Sequence, residues 1–266
     1  MATERELKFS TADDHVPSTL ELELALEGSG LAVTPGKVSR HVDLYFDSEA
    51  ALAAAGMALR LRRSSTGSWV TLKAAVAEEA HSQAEARSQA PRSAADAMQR
   101  RTELELQLDE APAVAASAAG AGVPVDEPGT GSGAPSAWPE PVLAALPPGL
   151  SVEGLAPVAE LHIRRVAFLI VPGSDSPDNA AALAELAFDE VTAVAQRAPG
   201  TPAATATAEF HEVEIEWLGA DDAQDPVVLA CLTTVAEAVG TIVTLVASPV
   251  PKLARARALL ATLADG

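Results

Sequence analysis

Eight short segments of this chain alternate charged and apolar residues with period two, and that rhythm restricts the fold more than any other feature of the sequence. They are 3–10, 40–47, 57–63, 68–75, 100–108, 158–171, 184–192 and 209–218. A period of two sends neighbouring side chains to opposite faces of a β-strand, so each segment reads as a strand with one ionic and one apolar face. In the first, Glu4, Glu6 and Lys8 oppose Arg5, Leu7 and Phe9. Further on, Arg60 and Arg62 oppose Leu59 and Leu61, and Lys73, Thr71 and Trp69 oppose Leu72 and Val70. Arg101, Glu103 and Glu105 oppose Leu104 and Leu106. His162 and Arg164 flank Ile163, Ala187 separates Glu185 from Asp189, and Glu212, Glu214 and Glu216 oppose Val213 and Ile215.

A single strand of this kind is ordinarily part of an antiparallel sheet with one wet face. Repeated along most of the chain, with arginines and paired acids recurring, the pattern points to an inverted barrel. Charges of both signs line a water-filled interior, and the apolar face turns outward beneath helices. The fold expected is α+β: one domain over 1–266, built as an eight-stranded antiparallel β-barrel with helices packed on the outside. Those helices are read at 17–28 after Pro17-Ser18-Thr19, at 226–240 after Asp225-Pro226 and at 251–264 after Pro249 and Pro251, with a short one at 140–146. Leu20, Leu24, Leu253, Leu260 and Cys231 are expected in the core. Residues 77–99 and 111–141, rich in Ala, Ser, Gly and Pro, read as insertions, and 173–182 and 197–207 as connections between strands.

Composition removes several function classes. Eighteen Lys and Arg against 37 Asp and Glu give a net charge of −19, which repels nucleic acid and anionic lipid over most of the surface. The single cysteine rules out an intramolecular disulfide framework and fits a reducing compartment. No uncharged apolar run reaches membrane-spanning length, and the N-terminus opens with Glu4, Arg5, Glu6 and Lys8. A cytoplasmic location is expected, with neither nucleic acid nor membrane as a partner.

A charged tunnel suits a flexible polyanion held together with a divalent metal. Arginine offers a planar fork of donors that meets phosphate oxygens in pairs, and lysine a movable point charge. Lys8, Arg60, Arg62, Lys73, Arg101 and Arg164 form the expected phosphate cradle, with Arg164 preferred to Arg165 on strand parity. Hard divalent cations take oxygen ligands and bridge carboxylates to phosphates, which makes Glu4, Glu6, Asp189, Glu214 and Glu216 the candidate ligands for magnesium or manganese. No Cys/His zinc spacing is present.

Glu4-x-Glu6-x-Lys8 resembles the ExExK signature of the CYTH superfamily, the triphosphate tunnel metalloenzymes. Its company in chain order extends the resemblance over nearly the whole sequence: Tyr45-Phe46-Asp47, Ala58-Leu59-Arg60-Leu61-Arg62, Trp69-Val70-Thr71-Leu72-Lys73, Arg101-Thr102-Glu103-Leu104-Glu105, Ile163-Arg164-Arg165, Phe188-Asp189-Glu190 and Val213-Glu214-Ile215-Glu216. Pro251-Lys252-Leu253 looks like the family's closing, lysine-bearing helix. The resemblance implies an eight-stranded tunnel that binds linear triphosphates with a divalent cation, in a family including inorganic triphosphatases, thiamine triphosphatases and class IV adenylate cyclases. It implies metal at the five acids named above, phosphate at the six cations, and a catalytic group of Lys73, Glu103 and Glu105. In that group the two acids order the basic residues or a water, and Lys73 or a carboxylate orients the attacking water.

The expected reaction is metal-dependent hydrolysis of inorganic triphosphate or a small organic triphosphate. Two alternatives stand beside it. One is cyclisation of ATP to cyclic AMP; the other is a binding protein that holds polyphosphate or a phosphorylated metabolite without turnover. His162, Phe188 and Pro251 stand where relatives commonly carry a basic residue, a second acid and a serine, respectively.

Overall fold

The computed structural model of the chain describes residues 2–75, 98–108, 134–135, 137–173, 181–194, 207–219, 225–248 and 250–264. The insertions expected at 77–99 and 111–141 lie almost wholly outside the described residues, as do most of the two connections. The eight alternating segments form β1 (Ala2–Thr11), β2 (Leu31–Asp47), β3 (Met57–Ser64), β4 (Gly67–Ala75), β5 (Met98–Leu108), β6 (Ala156–Pro172), β7 (Ala184–Val194) and β8 (Thr207–Trp217). They pair in the order β5-β4-β3-β2-β6-β7-β8-β1, and β1 also pairs with β5. Every pairing is antiparallel, so the sheet closes on itself as an eight-stranded barrel. A two-residue strand, β9 (Val246–Ala247), adds to the far end of β1.

Register explains why charges tolerate the interior. Lys8 lies opposite Glu214, Lys73 opposite Glu103, Asp43 opposite Arg62 and Arg165 opposite Asp189. Opposite charges on one face of paired strands attract, so the ionic face is internally neutralised. The strand expected over 40–47 begins earlier, at Leu31, because its first half carries no charge alternation. A register shift between Thr34 and Lys37 marks a bulge there. Gly36 makes it possible: a Cβ at that position would stand 0.9 Å from the carbonyl oxygen of Ala167.

The outward faces of the strands pack beneath helices. α1 (Thr19–Ala25) and a long helix over Asp225–Gly240 cover β1, β6, β7 and β8, burying Leu7, Phe9, Leu22, Phe168, Ile170, Leu186, Phe188, Val213 and Ile215 with Val228, Leu232, Val235 and Val239. α2 (Ala51–Ala54) and α3 (Glu140–Ala145) cover β2 to β5 through Leu52 and Val142. The Asp225–Gly240 helix is α4, and its first residue holds two outward arginines, Arg5 at 3.4 Å and Arg100 at 2.6 Å.

Ser18 caps α1: its hydroxyl accepts from the Glu21 amide at 3.3 Å, and the Glu21 carboxylate accepts from the Ser18 amide at 2.8 Å. That start fixes the helix phase, and with it which leucines face the barrel. Leu22 and Leu26 are buried, whereas Leu20 and Leu24, expected in the core, are 63% and 64% exposed. Leu22→Ala is therefore expected to lose about 2–5 kcal/mol of stability and Leu20→Ala less than about 0.5 kcal/mol. Urea denaturation of the two variants reads this directly, and equal losses would contradict the helix phase.

The C-terminal helix, α5 (Lys252–Ala264), departs from expectation. Instead of lying on the outside, it packs Ala256, Leu253 and Leu260 against Tyr45, Ala159, Leu161, Ile163, Val191 and Ala193. Tyr45 faces the tunnel cavity, and strand alternation puts the β6 and β7 members on the same inward face as Arg165 and Asp189. α5 thus plugs one end of the barrel from within. No helix among the described residues is long and apolar enough to cross a membrane.

Candidate active site

Inside the barrel lies a cavity of about 220 Å³. Of the residues expected in the site, Lys8, Arg60, Arg62, Lys73 and Arg101 line it, together with Glu4, Glu103, Glu105, Glu214 and Glu216. Glu6 and Asp189 sit just behind the lining, each 2% exposed. Glu6 is 3.1 Å from the Lys8 ammonium, which also lies 2.9 Å from Glu214. Lys73 reaches Glu4 at 2.6 Å and Glu103 at 3.6 Å.

Arg164 is not in the tunnel. It faces outward, 41% exposed, with Glu190 at 3.7 Å, while its neighbour Arg165 enters the cavity wall. The expectation failed because the ionic side was taken as inward along the whole of β6. Beside the plug the inward residues are instead Leu161 and Ile163, which meet α5, and Arg165 continues that face. Downstream, Phe168 and Ile170 occupy the outward face beneath α4. That second apolar frame was the signal in the sequence, since it places Arg165 on the opposite side. His162 also faces outward, its Nε2 2.7 Å from Glu160, and Phe188 packs edge-on against Phe168 with ring centroids 6.2 Å apart. Neither takes the place of a charge inside the tunnel.

Arg165 is the hub of one end. Its Nε and Nη2 donate to Asp189 at 2.8 and 2.7 Å, Nη1 donates to Glu185 at 3.2 Å, and Nη2 also meets Glu214. From α5, Lys252 enters the same cluster, 2.6 Å from Asp189, 3.2 Å from Glu214 and 3.4 Å from Glu212. Arg255 adds a contact to Glu212 at 3.5 Å and lies over the Phe210 ring, 5.4 Å from its centroid. Burial opposes the charge on each of these cations, yet Asp189 and Glu214 outweigh it and hold Arg165 and Lys252 above their ordinary values. Lys8 is raised likewise by Glu214, Glu6 and Glu212.

The acids respond in opposite directions. Burial would raise Glu214 and Asp189, but the surrounding cations prevail and hold both below the usual carboxylate range. Glu216 is pushed up to about 8, by burial first and then by the charges of Glu4 and Glu6, against the pull of Lys73. His41, on the inward face of β2, is driven down to about 3, chiefly by burial. His41 and Asp43 were not among the expected site residues, although their spacing, two apart on one face of β2 within the alternating segment 40–47, was a signal for them. Glu212 and Lys252 were noted without being placed in the site.

The CYTH domain profile matches residues 2–241. The chain belongs to the CYTH family. Among solved structures with a similar fold are a proposed adenylate cyclase of Bacillus halodurans, bh2851, and the Hippeastrum protein HpAC1, a proposed adenylyl cyclase described as having a dominant triphosphatase activity. Each is 14% identical with a TM-score of 0.45; the match covers 96% of this chain and 98% and 95% of theirs, respectively. The RNA triphosphatase Pct1 of S. pombe is also matched, at 10% identity and a TM-score of 0.30, over 91% of this chain and 84% of that one. No curated protein matches the chain.

CYTH tunnel proteins generally depend on a divalent metal. In this CYTH tunnel no group of three or more His, Cys, Asp or Glu among the described residues is disposed to hold an ion as it stands. The donors are nonetheless of the right kind. Glu6 and Glu216 face each other across β1 and β8, and Glu4 shares their face. Glu4 Oε2 is buried without a hydrogen-bond partner, Glu6 Oε1 meets the Lys8 ammonium as an ion pair, and Glu216 is raised first by burial and then by the charges of Glu4 and Glu6. A hard divalent cation suits such oxygens, with Lys8 and Lys73 yielding part of their contacts to it.

Proposed function

We propose that this CYTH protein hydrolyses a linear triphosphate, inorganic triphosphate or a small organic triphosphate, with magnesium or manganese. One observation carries the reading: one cavity in the barrel joins a cationic wall of Arg60, Arg62, Lys73 and Arg101 to an acidic wall of Glu4, Glu214 and Glu216. A polyanion with a bound cation is the ligand complementary to both walls. Phosphoryl transfer to water demands positioning and charge neutralisation above all, and no covalent nucleophile is needed.

Arg60, Arg62, Arg101 and Arg165 grip phosphoryl oxygens in this reading, and Lys8 spans to the acidic wall. Gln99 steadies Arg101 through the Arg101 Nη2 contact, and Asp189 steadies Arg165. Glu105 accepts from the Thr71 hydroxyl at 3.0 Å, and that hydroxyl accepts from Arg60 at 3.1 Å, so Glu105 orders a basic residue. Lys73, anchored by Glu4 and close to Glu103, orients the attacking water in this reading. Glu4, Glu6, Glu214 and Glu216, with Asp189 behind them, would hold the divalent ion, whose chemistry when bound is to neutralise and polarise the phosphates. α5 closes one end and keeps bulk water from the reacting groups.

Incubation of the protein with triphosphate, thiamine triphosphate and ATP, each with magnesium or manganese, tests the reading by product. Orthophosphate is expected, with Glu4→Gln and Arg62→Ala each lowering turnover by about 100-fold or more. Cyclic AMP and diphosphate from ATP would establish the cyclase instead. Binding without turnover under both metals would make the chain a phosphate-binding protein.

A further inference from the structure

Resting on the triphosphatase reading, we infer that Asp43 is a positioning residue which locks Arg60 and Arg62 into one fixed unit, so that the pair meets a bound triphosphate in a single geometry. Asp43 lies on β2 and is fully buried, at 0% exposure. It is absent from the cavity wall, whereas both arginines line it. One carboxylate oxygen accepts from Arg62 Nε at 2.8 Å; the other accepts from Arg62 Nη2 at 2.9 Å and from Arg60 Nη1 at 3.3 Å. The first two contacts make a bidentate fork, which fixes the plane of a guanidinium as well as its distance.

The strand register explains why a carboxylate is needed here. Arg60 and Arg62 are two residues apart on β3 and share its inward face, so their charges repel at close range. Asp43 lies directly opposite Arg62, and Tyr45, two residues on, lies opposite Arg60. The acid therefore sits between the two guanidiniums from behind. Burial opposes its charge, but Arg62 and Arg60 outweigh burial and hold the carboxyl well below the usual carboxylate range. On the far side Arg60 is held again by Thr71 at 3.1 Å. What the pair lacks is freedom to follow the ligand, and a preset geometry of this kind raises turnover more than ground-state binding.

Neutralising Asp43 should separate those two quantities. In Asp43→Asn the tunnel gains one net positive charge, so it still attracts a polyanion, but the arginines repel each other and lose alignment. We expect Asp43→Asn to bind inorganic tripolyphosphate within about threefold of the wild type by calorimetry without metal, with KM within the same range, while kcat falls about 100-fold. Arg62→Ala should lose binding as well as turnover. A folded Asp43→Asn with wild-type kcat overturns the inference, and so does a loss carried by KM and binding alone. Where circular dichroism shows that Asp43→Asn is unfolded, Asp43→Glu serves instead. It keeps the charge but displaces the anchor by a methylene, with the same expected and refuting results. Failure of the wild-type protein to hydrolyse any of tripolyphosphate, thiamine triphosphate and ATP would refute the triphosphatase reading itself, and is seen before any variant is made; where only an organic triphosphate is turned over, the same comparison is made with that substrate.

Discussion

Arg165→Ala is expected to lower folding stability by about 3–5 kcal/mol, and Arg164→Ala, one residue earlier, by less than about 0.5 kcal/mol. Arg165 neutralises Asp189 and Glu214 and donates to Glu185. Its removal leaves buried carboxylates with Lys252 as their principal counter-charge, and Asp189 is 2% exposed, too deep for water to take over. Among the described residues Arg164 meets Glu190 at 3.7 Å, with the two side chains 41% and 57% exposed, where screening leaves an ion pair little worth. Urea midpoints of the two variants decide the matter. A similar loss in both, or a greater one at Arg164, would mean that the inward face of β6 has been assigned to the wrong set of residues.

A second large effect is expected from divalent metal, and it grows with pH. Glu216 holds its proton up to about 8 in the native barrel, whereas an unfolded glutamate has lost it near the ordinary value of 4.5. Between those limits the native state binds more protons than the unfolded one, so metal-free stability falls as pH rises through the window. His41 acts from the other side. Its native value near 3 lies below the ordinary 6.5, so acidification below 6.5 favours the unfolded chain, which takes up the proton that the buried imidazole refuses. The metal-free protein should therefore be most stable in the mildly acidic range.

In the proposed site, magnesium or manganese would relieve the Glu216 penalty by supplying positive charge beside it. At saturation and pH 8.5 the expected gain in Tm is about 5–10 °C, from roughly 2.7 kcal/mol at a hundredfold excess over Kd. The gain should be much smaller at pH 6, where the ion competes with a proton. Glu216→Gln should make the fall on the alkaline side shallower, leaving the part due to Glu212, which burial pushes up to about 7, and remove most of the metal effect. Equal metal gains at pH 6 and 8.5 would contradict the ion's placement at this acid.

The barrel was legible in the sequence because its rule is repetitive. Each of the eight strands announced itself by charge alternation, and β1, β3, β4, β5 and β8 kept the ionic side inward along their site-lining stretches. On β6 a local reading misled, because which face is apolar depends on what covers it. Beside α5 the inside must be greasy, beneath α4 the outside must be, and the change falls at Arg164-Arg165. A helix written as amphipathic shows that it will pack, but not whether it packs on a barrel or within one, so α5 was put on the wrong side. Leu20 and Leu24 show the same limit: spacing alone gave a helix, and only the Ser18 cap set its rotation. Asp43 was missed for a different reason. Asp43, on a strand that also carries Lys37, Arg40, His41 and Asp47, acquires meaning only when Arg60 and Arg62, on the next strand, are laid against it.

Closure of the sheet ties the birth of the site to the last strands made. β1 carries Glu4, Glu6 and Lys8, yet its neighbours are β5 and β8, roughly 100 and 210 residues along the chain. During synthesis the first strand must wait for its partners, on one edge until β5 and on the other until β8 has appeared. Contacts so distant in sequence make folding slow. They also keep the acidic and basic walls apart until the hoop is complete, so a partly made chain offers a polyanion no competent grip.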